Sequence, residues 1–265
     1  MVDQKKYLVN VGMQNLPFPM RVLSREKEEG QFTIADISIE AIIMQEFEAR
    51  WIDKFIKIVH DHRDRIGTKT LRHNIYDYMK DLEASAVTIN FDYPFFIEKT
   101  TPVSGQNCLV RYNARYTAKL RSIESEPRII FRMDIPCITT YPGSSPDKPG
   151  GLFGQLSIVS IEVESTISIY PEDLVDLVDK YSLSPIYSFL SDEDQLHIIQ
   201  KVHSEKKSSV TMTDEIRNSL SNNKDIDWFL VNCSNFGMLH SYSTAIGTEK
   251  SRWVPFSYKA EDDII

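Results

Sequence analysis

Hydrophobic and polar residues alternate from Gln31 to Met44 (QFTIADISIEAIIM), with Ile34, Ile37, Ile39, Ile42 and Ile43 among them, and this pattern predicts a long strand. From Glu46 the period changes. Phe47, Trp51, Phe55, Ile58 and Val59 recur at helical spacing, and a second helix is predicted from about Thr70 to Ala84, with Leu71, Ile75, Tyr78, Met79 and Leu82 on one face. Three strand-like segments follow, Ala86–Glu98, Cys108–Ser122 and Arg128–Thr139. Their β-branched and aromatic content and the turns between them suit antiparallel pairing. The Pro- and Gly-rich stretch from Tyr141 to Gly151 (YPGSSPDKPGG) can only be a loop.

A further strand is predicted at Gln155–Thr166, then a helix opening at Pro171-Glu172-Asp173, where acidic residues suit the positive end of the helix dipole. Helical stretches at Asp192–His203 and Thr213–Leu220 precede two closing strands, Asp227–Asn232 and His240–Gly247. Strands in clusters separated by helices predict an α+β fold, with helices packed on one face of antiparallel sheets. The order of elements predicts two related halves, 1–150 and 151–265, without a repeat in the sequence itself.

Composition narrows the function classes. With 42% hydrophobic and 26% charged residues the chain is an ordinary globular one, and no apolar run approaches the roughly 20 residues of a membrane span. Met1 leads into Val2-Asp3-Gln4-Lys5-Lys6 with no apolar stretch behind the lysines, so a cytoplasmic protein is expected. A formal charge of −8 argues against nucleic acid as a partner, which needs clustered Lys and Arg. Cys108, Cys137 and Cys233 are too widely spaced for a disulfide framework or a zinc knuckle and are read as reduced, mostly buried thiols.

Val9-Asn10-Val11-Gly12-Met13-Gln14-Asn15-Leu16 before Pro17-Phe18-Pro19 is similar to the D-V-G-x-x-N-L opening of the type IB GTP cyclohydrolases, a family of the tunnelling-fold superfamily that further segments also resemble. Pro94-Phe95-Phe96-Ile97-Glu98-Lys99 with Pro102-Val103-Ser104-Gly105 is similar to P-Y-F-I-x-K-x-A-P-V-S-G. Gly30-Gln31-Phe32-Thr33, Pro171-Glu172-Asp173-Leu174, Ser184-Pro185-Ile186-Tyr187 and Asn235-Phe236 follow in the family's order. The resemblance implies tandem tunnelling-fold (T-fold) modules, a homotetramer with barrels joined across subunits, and active sites at subunit interfaces. It also implies a metal-bound water that attacks the guanine ring of GTP, because a metal lowers the pKa of its bound water toward neutrality.

At the positions that would carry this chemistry the residues differ. Against the family's C-P-C-S and G-A-H-N-Q-R-S, the ligating Cys becomes Tyr141, its companion Cys becomes Gly143 and the ligating His becomes Phe153. The ligating Glu falls on Gln195, and the guanine-anchoring Glu falls near Val210. Of E-S-I-H-N-H only the first His remains, as His240; the Glu becomes Gly237 and the last His becomes Tyr242. A catalytic metal needs about three suitable ligands, and a phenol, a benzyl group and an amide do not supply them.

The expectation is therefore a metal-independent protein without a cofactor. Its aromatic pocket is expected to act on a different small molecule, in specialised-metabolite biosynthesis. His240 is the candidate base and Tyr141 or Tyr242 the hydrogen-bond donor or acid; Lys99, Ser104, Phe153, Gln155 and Gln195 are candidate substrate-binding residues. A non-catalytic scaffold or regulator is the alternative, and residual GTP cyclohydrolase activity the third.

Overall fold

The computed structural model describes residues 8–43 and 50–250. In chain order the elements are β1 (Val9–Val22), β2 (Gln31–Ile43), α1 (Arg50–Asp61), α2 (Thr68–Asp81), β3 (Ala84–Thr100), β4 (Asn107–Leu120), β5 (Arg128–Thr140), β6 (Gly154–Ser165), α3 (Pro171–Tyr181), β7 (Ser184–Pro185), α4 (Asp192–Ser204), α5 (Ser209–Asn222), β8 (Ile226–Phe236) and β9 (Thr244–Glu249). The strands form one sheet in the order β1-β2-β3-β4-β5-β6-β8-β9, with β7 beside β5, and every pairing between them is antiparallel.

Alternation decides which face is covered. In β3, Val87, Ile89, Phe91, Tyr93, Phe95 and Ile97 are buried, and in β2 the same holds for Ala35, Ile37, Ile39, Ala41 and Ile43. Leu71, Ile75, Tyr78 and Met79 of α2 and Leu174, Val175 and Val178 of α3 join the same core. Odd and even positions of a strand point to opposite faces, so the in-between residues line the other face, which α4 touches at the β5–β6 end, where Ile138 packs against Ile198 and Val202. There Arg115 pairs with Asp92 (2.5 Å), and Arg132 bonds Asp134 (3.1 Å) and Glu162 (3.3 Å).

The helix–strand content agrees with the α+β reading, with two differences. The Val9–Val22 segment is an edge strand, and its prolines Pro17 and Pro19 are tolerated because an edge strand need not donate every N–H. A register shift between Met13 and Leu16, with Asn15 at φ 56, hides the alternation in the sequence. The last strand is Thr244–Glu249 rather than His240–Gly247, so His240 and Tyr242 lie in the turn before it. Met44, Glu46 and Phe47, the predicted strand end and helix start, lie outside the described residues. No helix among the described residues is long and apolar enough to cross a membrane.

The order strand–strand–helix–helix–strand–strand occurs twice, first over β1 to β4 and then over β5 to β9 with β7 and α4 added. It restarts at the 121–127 turn. A division at residue 150 would fall inside the β5–β6 hairpin, whose ladder runs from Ile130↔Glu164 to Thr140↔Gly154.

Candidate functional site

Three neighbouring strand ends build the site. β5 ends at Thr140 opposite Gly154, the first residue of β6, while Leu156 of β6 pairs with Phe236, the last residue of β8. The next residues outward are therefore Tyr141, Phe153 and Gly237, which the sheet brings together from three parts of the chain. The Tyr141 N–H donates to the Phe153 carbonyl (3.0 Å), and the two half-buried rings stack with centroids 4.9 Å apart and planes 16° from parallel. Ser144 fixes the turn by donating its N–H (3.1 Å) and hydroxyl (2.7 Å) to the Tyr141 carbonyl.

Two glycines make room for this ring. A Cβ on Gly143 would stand 2.7 Å from one edge of the Tyr141 ring, and a Cβ on Gly237 would stand 2.8 Å from the other. Both are far below van der Waals contact. Any side chain at 143 or 237 thus competes with Tyr141 for the same space.

Behind the stack, on the helix side of the sheet, runs a chain of buried polar groups. Gln155 Nε2 donates to Thr139 Oγ1 (3.2 Å), Thr139 and Ser157 hydroxyls share a bond of 2.7 Å, and Ser157 donates to Asn235 Oδ1 (2.8 Å). With its proton on Asn235, Ser157 must accept from Thr139, so donors point one way along the row. Buried polar groups are costly unless paired, which is why this row is fully linked.

The other predicted residues are spread more widely. His240 stacks on Tyr242 (4.8 Å, 15°) on an exposed turn with Met238 and Leu239, and no hydrogen bond or ring contact joins either to Tyr141 or Phe153 among the described residues. His240 is the third residue after Gly237, a reach of at most about 10 Å. Gln195 is exposed on α4 and donates to the Leu190 carbonyl (3.3 Å); Val210 is exposed on α5. Cys137 is fully buried beside Met212 (3.8 Å), and burial pushes its thiol well up, which disfavours the thiolate.

Lys99 and Ser104 are engaged by carboxylates of the chain itself. Lys99 forms an ion pair with Asp179 and lies over the Tyr112 ring at 5.5 Å. Burial pushes the Asp179 carboxyl up, against the pull of Lys99. Ser104 donates its hydroxyl (2.6 Å) and N–H (3.0 Å) to Asp194, which also accepts from Val103 N–H (2.8 Å) and from Ser191 N–H (3.1 Å) and hydroxyl (2.7 Å). Burial opposes ionisation of Asp194, but the bonds from Ser104, Ser191 and Val103 outweigh it and hold the carboxyl below the usual carboxylate range. Asp194 thus closes the α4 capping box and also ties α4 to the β3–β4 turn. In this arrangement neither Lys99 nor Ser104 is available as a free anion holder. Asp179 carries no signal in the sequence, because no local spacing marks a partner that lies 80 residues away.

Among the described residues no three His, Cys, Asp or Glu side chains gather closely enough to hold a metal ion. The donor set at the strand ends is a phenol, an amide and hydroxyls, which does not fit a catalytic divalent metal. A cavity of about 110 Å³ lies elsewhere, on the sheet face opposite α2 and α3, among Asp92, Asn113, Arg115, Arg132 and Asp134, where the charges pair with one another.

Comparison with known proteins gives a family match. The family model described as type I GTP cyclohydrolase folE2 matches residues 2–245. GTP cyclohydrolase FolE2 of Geobacter sp. (strain M21) is 27% identical over 242 residues, covering 91% of this chain and 89% of that one. The protein of the same name from Thermosipho africanus (strain TCF52B) is 27% identical over 236 residues, 89% and 90% of the two chains. Among solved structures, the urate oxidase of Bacillus sp. TB-90 aligns with a TM-score of 0.56 at 9% identity, over 92% of this chain and all of that one. The uricase from Arthrobacter globiformis aligns at 0.53 and 9% identity, over 93% and 94%. At such low identity these two show a shared fold alone.

Proposed function

The chain belongs to the type I GTP cyclohydrolase folE2 family, and from that premise we propose that it is a metal-independent member whose pocket acts on a small molecule other than GTP. The observation that carries this reading is the Tyr141 ring, seated between Gly143 and Gly237 and stacked on Phe153. Where the family resemblance calls for a thiolate and an imidazole, this chain has two packed aromatic rings. Activating a water through a metal requires several ligands to hold that metal, and the residues here supply none of the required softness or charge. An aromatic wall with a few polar groups is instead the usual lining of a small-molecule site. Gln155 supplies an amide beside the stack, and His240, exposed and three residues past Gly237, is the available general base, with the phenols of Tyr242 and Tyr141 as acids.

Assembly is part of the proposal. The sheet ends in two edge strands, β1 and β9. Edges of this kind are stabilised by pairing, and a homotetramer of tandem T-fold modules, divided at the 121–127 turn, would close them into barrels.

A second reading, a non-catalytic scaffold, is favoured by the engagement of Lys99 with Asp179 and Ser104 with Asp194. The relatives' name favours a third, residual GTP cyclohydrolase activity. One assay separates the third from the rest: incubation of the purified protein with GTP and added divalent metal, with formate measured. Release of stoichiometric formate over repeated turnovers would overturn the proposal.

A further inference from the structure

We propose that Gln155 determines specificity at the strand ends, and that it selects a neutral planar ligand whose edge presents an N–H or O–H donor to its amide oxygen. The inference rests on the reading of the strand ends as a small-molecule site and names what that site recognises. Gln155 stands on β6 and is 5% exposed. Its Nε2 donates to Thr139 Oγ1 (3.2 Å). Its Oε1 has no hydrogen-bond partner among the described residues, yet it is not sealed from solvent.

Gly237 fixes the place of that oxygen. A methyl group on Gly237 would have the edge of the Tyr141 ring at 2.8 Å and Gln155 Oε1 at 3.9 Å, so ring edge and oxygen are neighbours beside the bare Cα of Gly237. The Tyr141 and Phe153 rings are half-buried and stacked, which leaves a flat apolar surface for a planar ligand. A ligand packed there meets the Gln155 oxygen at its edge. A nearly buried acceptor without a partner gains from a donor, whereas a carboxylate or phosphate would set acceptor against acceptor.

The row of polar groups behind Gln155 turns the oxygen outward. Burial pushes the Cys233 thiol up to about 11, so it keeps its proton and donates to Asn235 Oδ1 (3.6 Å). The Ser157 hydroxyl donates to the same oxygen (2.8 Å). A hydroxyl carries one proton, so Ser157 accepts from Thr139 (2.7 Å), and Thr139 in turn accepts from Gln155 Nε2. With the row reversed, Gln155 would present its NH₂ instead. Asn235, Ser157 and Thr139 act through Gln155 and are positioning residues.

Indole and benzofuran, two rings of one shape that differ in a single N–H, test this on the full chain. In ligand-observed NMR titrations indole should bind roughly 3- to 10-fold more tightly than benzofuran, the ratio that one net hydrogen bond supplies. Gln155→Met keeps the length of the side chain, removes the amide and should abolish the difference. Ser157→Ala lets Thr139 turn its proton toward Gln155 and should shrink the difference, which a merely structural role would leave unchanged. In a crystal soaked with indole, the ring nitrogen should stand within hydrogen-bond distance of Gln155 Oε1. A preference that persists in Gln155→Met overturns the proposal, as do equal affinities in the parent, a comparison that needs no variant to fold. Equal affinities with both rings seated on the Tyr141–Phe153 stack remove the role of Gln155 alone and leave the small-molecule reading standing. Binding of neither ring overturns both.

Discussion

Gly237 and Tyr141 follow the ends of strands β8 and β5, yet a single methyl group on Gly237 would stand 2.8 Å from the Tyr141 ring. The glycine and the tyrosine are therefore one feature. Gly143, on the other edge of the ring at 2.7 Å, belongs to it as well.

From this follows a coupling prediction. Gly237→Ala and Gly143→Ala should each destabilise the protein by about 1–3 kcal/mol, the range for overpacking a filled site. In a Tyr141→Ala background the same changes should cost much less, since the ring they strike is gone. Denaturant unfolding of the single and double variants measures the coupling, expected at about 0.5–3 kcal/mol for side chains in contact. Additive effects would mean that the ring and the glycines do not meet in solution.

Metal content provides a second prediction. Tyr141, Phe153 and Gln195 stand at the positions the resemblance assigns to metal ligands, and Gln195 is turned to the Leu190 carbonyl on an exposed helix face. The purified protein should hold far less than one equivalent of zinc or manganese per chain, and a chelator should leave its melting temperature unchanged. Stoichiometric metal that survives dialysis would contradict this.

His240 separates the enzyme from the scaffold. It is exposed and stacks only on Tyr242 among the described residues, so His240→Asn should change stability by no more than about 0.5 kcal/mol, as is usual at the surface. If it is the base, the same change should cut turnover of the true substrate by roughly 10²–10⁴-fold. A variant that retains full turnover removes His240 from the chemistry and leaves the scaffold reading in its place.

Asp194 gives a pH dependence of defined sign. Its folded carboxyl is held below the usual range, so the charged form stabilises the fold. That contribution is complete above the unfolded value of about 3.9 and is lost as pH falls from there through the folded value. Asp194→Asn should melt lower than the parent at neutral pH, and the gap between the two should narrow as the solution is acidified below about pH 4. A gap that stays constant into acid would show that the Ser104, Val103 and Ser191 bonds do not depend on the charge.

The sequence by itself determined the periodic elements and the residue types at the positions where the resemblance expects ligands. Alternation in β2 to β6 and helical spacing in α1 to α5 are local properties, set by which residues must face a core a few positions apart. Tyr141, Phe153 and Gln195 are equally local, since a residue type can be read without knowing its neighbours in space. The first strand was not legible, because a bulge at Asn15 and two prolines broke its pattern. Only the tertiary structure decided what the substitutions mean. The meeting of Tyr141 with Gly143, Phe153 and Gly237 depends on the register of β5 with β6 and of β6 with β8, and register is a long-range quantity. The same holds for Lys99 with Asp179, Ser104 with Asp194, and Glu172 with Ser24. In each, a buried or half-buried charge or polar group finds a partner tens of residues away, a pairing imposed by the cost of leaving such a group unpaired inside the fold.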